Sequence, residues 1–148
     1  MPENSIRQAK FHLAFVDTNI LVYAHDHSAK EKHRLSTTLL KELWETATGC
    51  LSVQVLQEFY VTITAKVKRP LSAETAAEII SMLSLWKIHT PDVQDVLRAI
   101  AIQRQYQISF WDAMIIQSAV KLGCQVLWSE DLHAGQIYAG VTVKNPFI

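Results

Sequence analysis

Apolar and polar positions change their period in a regular order along the chain. "HLAFV" at residues 12–16 is a short apolar run that reads as a buried strand, and from about Asn19 the spacing turns helical. Between Lys30 and Ala47, Leu35, Leu39, Leu43 and Ala47 share one face with charges opposite, which predicts an amphipathic helix ended by Gly49. "CLSV" predicts a second strand. In "QVLQEFYVTITAKVK", Leu56, Phe59, Ile63 and Val67 keep a helical repeat. "KRPLS" breaks it, and Ser72 is placed to cap a helix carrying Ala76, Ile79, Ile80 and Leu83. "WKIH" predicts a third strand. Thr90-Pro91 predicts the next helix start, because proline at the first helical position loses nothing by lacking an N–H. Val93, Val96, Leu97 and Ile100 then mark the apolar side of that helix. Ser109 opens a last helix through Leu122, Gly123 closes it, and "QVLWS" and "VTVK" are the final strands.

Strands alternating with helices predict an α/β fold, with parallel pairing and helices on both faces of the sheet. Sheets of that kind place ligand sites in the crevice beyond the carboxyl ends of their strands. No repeat or linker divides the chain, and 148 residues suit one domain with one core.

The acids at the joints depart from this apolar pattern. "AFVDTNILVYA" sets Asp17, Thr18 and Asn19 between a buried strand and a buried helix, where an ionised carboxylate is costly unless paired or bound to a cation. Asp17 also reads as a helix N-cap, a job that Asn19 could fill alone. Glu58 stands between Leu56 and Phe59-Tyr60 at a turn into the third helix; by itself it reads as a half-exposed helical glutamate. Ser109 and Asp112 in "SFWDAMIIQSAV" have capping-box spacing, yet their helix is almost wholly apolar, so its N-terminus belongs inside the protein. Glu130 and Asp131 follow a strand in "SEDLHAG", as turn acids commonly do.

The combination says more than its members. In a parallel sheet Asp17, Glu58, Asp112 and Asp131 converge on one edge of the crevice. Clustered carboxylates raise one another's pKa unless cations neutralise them. All-oxygen donors select Mg²⁺ or Mn²⁺ over zinc. Such ions generate a nucleophile from water and stabilise charge on a phosphodiester.

With these residues in hand, the chain resembles the PIN-domain ribonucleases, and within them the VapC-type toxins of toxin–antitoxin pairs. The resemblance rests on "VDTNILVYA", "QEFY", "FWDAMI" and "LWSEDLHAGQ", and it covers about residues 12 to 148. It implies a three-layer α/β/α sandwich with a mainly parallel five-stranded sheet. It also implies Mg²⁺- or Mn²⁺-dependent cleavage of RNA, a cognate antitoxin and a homodimer. By position, Asp17, Glu58, Asp112 and Asp131 are the acidic quartet, catalytic and metal-binding, while Asn19 and Ser129 support it through hydrogen bonds. Glu130 falls where the family varies and is an extra or outer acid. Residues 1–11 read as an N-terminal extension to a single domain spanning 1–148, since family members often begin almost at the first strand.

Charge and composition bound the alternatives. Fourteen basic and fourteen acidic residues give a formal net charge of zero, unlike a module that grips long duplex DNA by charge alone. Lys66, Lys68 and Arg69, near the end of the helix that begins at Glu58, are candidate contacts to RNA phosphates. They also suit a helix C-terminus. No run of 18 apolar residues lacks a charge, so no membrane span is expected. "MPENSIRQAK" carries charge where a signal peptide needs an apolar region, so the expected compartment is the cytoplasm. Cys50 and Cys124 read as buried thiols. His25, His27 and His33 with Asp26 read as a solvated loop rather than a second metal site, and His133 as an exposed loop residue. The competing function is a catalytically inactive PIN-like protein that binds RNA or serves as a scaffold. A phosphotransfer domain is disfavoured, because "DTN" lacks a second acid two residues on.

Overall fold

The computed structural model describes residues 12–148, so the extension expected at residues 1–11 lies outside the described residues. Strand β1 (Ala14–Val16) is buried along its whole length, as a strand must be when sheet neighbours flank it and helices cover it. It lies parallel to β2 (Gly49–Ser52) on one side and to β4 (Val126–Trp128) on the other. β3 (Lys87–His89) adds to β2, and β6 (Val141–Lys144) adds to β4, both in parallel. The sheet order is β3-β2-β1-β4-β6-β5. Successive strands move outward from β1 in one direction and then resume beside it at β4, so the topological switch lies between β1 and β4.

Six helices connect these strands: α1 (Thr18–His25), α2 (Glu31–Thr46), α3 (Val53–Ala65), α4 (Ala73–Leu83), α5 (Val93–Tyr106) and α6 (Phe110–Lys121). Right-handed crossovers in opposite directions put α1 to α4 on one face and α5 with α6 on the other. The expected α/β/α sandwich is therefore present. Phe15, Leu51, Leu127 and Val143 from the central strands meet Ile20, Phe59, Ile63 and Ile116 from the helices in one continuous core. No helix among the described residues is long and apolar enough to cross a membrane.

Several expectations need correction. The sheet has six strands, not five, because β5 (Ile137–Tyr138) turns back and pairs antiparallel with β6. Ala139 and Gly140 both have positive φ, which suits a two-residue hairpin turn, and the Ala139 amide is held by the Tyr106 hydroxyl at 2.9 Å. Gly49 does not end α2. Ala47 does so in the left-handed conformation, while Gly49 opens β2 against the face of Trp86. Helix α3 ends at Ala65, before Val67.

The largest difference concerns α5. Its start is set by Asp92, not by Pro91: Asp92 accepts from the Asp95 amide at 3.0 Å while the Asp95 carboxylate accepts from the Asp92 amide at 2.9 Å. Asp95 faces inward, where it also accepts from Gln117 Nε2 at 2.9 Å and meets His89 Nε2 at 3.0 Å. That polar lock fixes the helix rotation, burying Asp95, Ala99 and Ile102. The apolar stripe Val93, Val96, Leu97 and Ile100 consequently faces outward, with Val93 72% and Leu97 54% exposed.

A Cβ on residue 49 would stand 2.5 Å from two atoms of the Trp86 ring, which is buried and edge-packed by Trp44. Gly49→Ala is expected to cost about 1–3 kcal/mol. Urea unfolding should show a lower midpoint with an unchanged slope; an unchanged midpoint would mean that the ring yields freely.

Candidate active site

β1 ends at Val16, and the next residue, Asp17, is both the N-cap of α1 and a buried carboxylate, 5% exposed. Its Oδ1 accepts from the Thr18 amide at 2.7 Å, and its Oδ2 accepts from the Ser129 hydroxyl at 2.8 Å. Ser129 directly follows β4, so this second bond spans the topological switch. Asn19 is free of capping duty. Its Nδ2 donates to Asp131 Oδ2 at 2.9 Å and its Oδ1 accepts from the Glu130 amide at 3.3 Å. Ser129 Oγ also accepts from the Asp131 amide at 3.1 Å. The loop after β4 is thereby tied to the joint after β1.

Glu58 approaches from α3, whose N-cap is Ser52 at the end of β2. Thr18 Oγ1 donates to Glu58 Oε2 at 2.9 Å, and Gln54 Nε2 donates to Glu58 Oε1 at 2.8 Å. Asp112 arrives in the first turn of α6, where Ser109 caps the helix by accepting from the Asp112 amide at 3.0 Å.

The acids sense one another. Burial is the main cause that pushes Asp17 up to about 7, with the negative charges of Asp131 and Asp112 adding to it against the Ser129 and Thr18 hydrogen bonds. Asp112 is also raised, first by burial and then by Asp131 and Glu58, against the lowering contact with Ser109. All four acids expected from the sequence therefore belong to one electrostatic neighbourhood, and Asn19 and Ser129 bond within it.

The supporting set is less uniform. Glu130 turns away from the acids: Oε1 accepts from the Tyr23 hydroxyl at 2.8 Å, and Oε2 pairs with Lys32 Nζ at 2.5 Å. Glu58 and Asp131 line a cleft of about 370 Å³ with Thr18, Asn19, Tyr23 and Asp26. A neighbouring groove continues past Glu58 along α3 to Val61 and Lys66. Lys66 thus borders the acid cleft, while Lys68 and Arg69 are exposed beyond it and line neither.

Donor chemistry and electrostatics fit a hard divalent cation: oxygen donors, a buried acid with neutral partners only, and mutual repulsion that a cation would relieve. Asp17, Glu58, Asp112 and Asp131 are the residues that could hold it. As they stand, however, no group of three or more histidine, cysteine, aspartate or glutamate side chains among the described residues closes into a metal cage. That holds also for His25 and His33, whose Nδ1 atoms are committed to the Leu21 and Tyr23 carbonyls.

Two contributors escaped sequence reasoning. The sequence places Thr18 only at the strand–helix joint and does not single out Gln54. Helical arithmetic carries the signal for Gln54, since residues four apart on a helix face each other. The Thr18 contact, across 40 positions, has no local signature.

A model of the PIN domain matches residues 14–139. No curated protein matches the sequence. Among solved structures, a toxin–antitoxin complex from Klebsiella pneumoniae superposes with TM-score 0.66 at 21% identity, over 90% of this chain and 97% of that one. DNA-bound VapBC from Salmonella typhimurium gives TM-score 0.65 at 15% identity, over 91% and 98%. VapC20 of Mycobacterium tuberculosis, a toxin that cleaves the sarcin–ricin loop, gives 0.58 at 18%, over 77% and 86%.

Burial of Asp17 predicts a pH dependence of stability. Its ordinary value is 3.8 and its folded value about 7, so the unfolded chain ionises first as pH rises. The stabilisation is complete below the unfolded value and is lost as pH climbs through the folded one. Metal-free protein should therefore lose up to about 4 kcal/mol across this window. Asp17→Asn should flatten the profile, as read by urea midpoints at successive pH values; an equally steep mutant profile would assign the slope elsewhere.

Proposed function

The chain belongs to the PIN-domain family, and from that membership we propose that it is an Mg²⁺- or Mn²⁺-dependent endoribonuclease of the VapC toxin type. The observation that carries this reading is the buried Asp17 carboxylate at the β1/β4 switch, raised to about 7 beside further acids. An enzyme without a cation to bind has little reason to keep that charge there.

A bound Mg²⁺ or Mn²⁺ would supply a Lewis acid and an activated water next to a phosphodiester. The protein's part is to hold the oxygens that bind it. Ser129 and the Thr18 amide orient Asp17, Thr18 Oγ1 and Gln54 orient Glu58, and Asn19 orients Asp131. Neutral donors leave each carboxylate's charge intact for the ion, where lysine or arginine partners would cancel it. Lys66, on the adjoining groove, supplies positive charge for the RNA backbone.

Partners follow from the same reading. A cognate antitoxin would restrain the activity, in keeping with the toxin–antitoxin complexes whose fold the chain shares. A second copy of the chain would cover exposed apolar surface such as the α5 stripe. Activity of this kind suits the cytoplasm, where RNA is the available target.

The test is cleavage of end-labelled total RNA by the purified, antitoxin-free protein, with Mg²⁺, with Mn²⁺ and with EDTA. Discrete metal-dependent products are expected, and Asp17→Asn should reduce them more than about 100-fold, beyond the cost of losing an outer contact. RNA binding without cleavage in any metal would instead favour the inactive, RNA-binding alternative.

Lys66→Glu separates binding from chemistry. It should raise KM several-fold and leave kcat within about twofold, the pattern of a contact made equally in ground and transition states. A fall in kcat alone would remove Lys66 from the RNA path.

A further inference from the structure

Gln54 occupies an unusual position, and its reach beyond Glu58 toward Asp112 rests on the acid-site reading above. It lies in the first turn of α3, is 8% exposed, and its Nε2 donates twice: to Glu58 Oε1 at 2.8 Å and to the Trp111 carbonyl at 3.4 Å. Both neighbours are acceptors, so only the NH₂ end of the carboxamide can face them. Its orientation is thus dictated by chemistry.

That orientation has a consequence at the other end of the group. Gln54 Oε1 is buried and finds no hydrogen-bond partner among the described residues. Rotating the amide would not cure this without losing both donated bonds and setting oxygen against a carboxylate. A buried acceptor left unpaired is costly, and hydrophobic side chains of similar length would avoid the cost. Gln54 instead keeps the arrangement that grips Glu58.

The second donated bond shows what the grip connects. Trp111 directly precedes Asp112 in the first turn of α6. Gln54 therefore links the acid of α3 to the backbone that carries the acid of α6, across 57 positions of sequence. Thr18 completes the hold on the other Glu58 oxygen at 2.9 Å.

We propose that Gln54 is a positioning residue of the acid site: it fixes Glu58 relative to the backbone that carries Asp112. Its role is to set the spacing of two metal-binding acids on different helices. Outer contacts of this kind change metal affinity by roughly 10–100-fold when removed.

The experiment is Mn²⁺ binding to the full chain, read from the electron paramagnetic resonance signal of free Mn²⁺, with circular dichroism and thermal unfolding as controls for folding. Gln54→Met keeps length and burial but removes both donors; it should weaken Mn²⁺ binding about tenfold or more. Gln54→Glu places a second carboxylate against Glu58 in a side chain of the same shape. A positioning donor requires this variant to weaken binding too, despite its added negative charge. Tighter binding by Gln54→Glu, or unchanged binding by a folded Gln54→Met, would overturn the inference. Asp17→Asn, titrated alongside, keeps the two claims separate. If it abolishes binding while Gln54→Met does not, only the role of Gln54 falls; if it leaves binding intact, the acid-site reading falls with it.

Discussion

A carboxylate at the end of a central strand, 5% exposed, has three ways to exist: it takes up a proton, it finds donors, or it meets a cation. Asp17 has two donors, the Thr18 amide and the Ser129 hydroxyl, and they do not suffice to keep it at its ordinary acidity. Much of the surrounding structure is arranged around this shortfall. Ser129 is buried just past the neighbouring strand β4, Asn19 pins the loop that bears Asp131, and Thr18 reaches over to Glu58. Each of these bonds ties a different segment to the same joint, so the charge that destabilises the joint also organises it. A cation would turn the repulsion among the acids into attraction, which is why the acid site and the stability of the metal-free fold are one problem.

The other face of the sheet uses buried polarity differently. His89 lies 2.8 Å from Ser118 Oγ through Nδ1 and 3.0 Å from Asp95 through Nε2, a Ser–His–Asp chain with the two ring nitrogens exchanged relative to serine hydrolases. Ser118 is fully buried, however, and His89 and Asp95 nearly so, so this trio presents no nucleophile at the surface. Its effect is mechanical. It joins edge strand β3 to α5 and α6, and Gln117 adds a second tie between those helices. Because Asp112 lies in the first turn of α6, a lock that holds this helix also sets where the fourth acid can stand.

Strong local signals made most of this legible in the sequence. The alternation of apolar runs and helical repeats located every helix and all but one strand, and the acids at strand ends stood out because their neighbours are apolar. What failed was any inference in which a non-local polar contact outranks hydrophobic spacing. On α5, Val93, Val96, Leu97 and Ile100 have the spacing of a core stripe, yet Asp95 is the residue that turns inward. Its partners, His89 and Gln117, lie on other elements and leave no trace in the periodicity. β5 was missed for a related reason: two residues are too short to show alternation, and the turn relies on Tyr106 from α5. The site divides similarly. Its acids were visible from their local context, whereas Thr18 and Gln54 acquire meaning only once Glu58 is placed beside them.

Charge distribution bears on the proposed substrate. The chain is formally neutral, and four of its fourteen acids share one electrostatic neighbourhood, with Glu58 and Asp131 lining the cleft, so without a cation the site repels a polyanion. Glu130, a fifth acid nearby, is paired with Lys32, which also sits over the Tyr23 and Phe147 rings at 5.1 and 5.3 Å. The adjoining groove carries Lys66 instead of another acid. Under the proposed function, attraction for a nucleic acid would be conditional: present where the cation has entered, and weaker where the acids are bare. For an enzyme of this kind, that would couple loading of the metal to capture of the strand, with no moving part required.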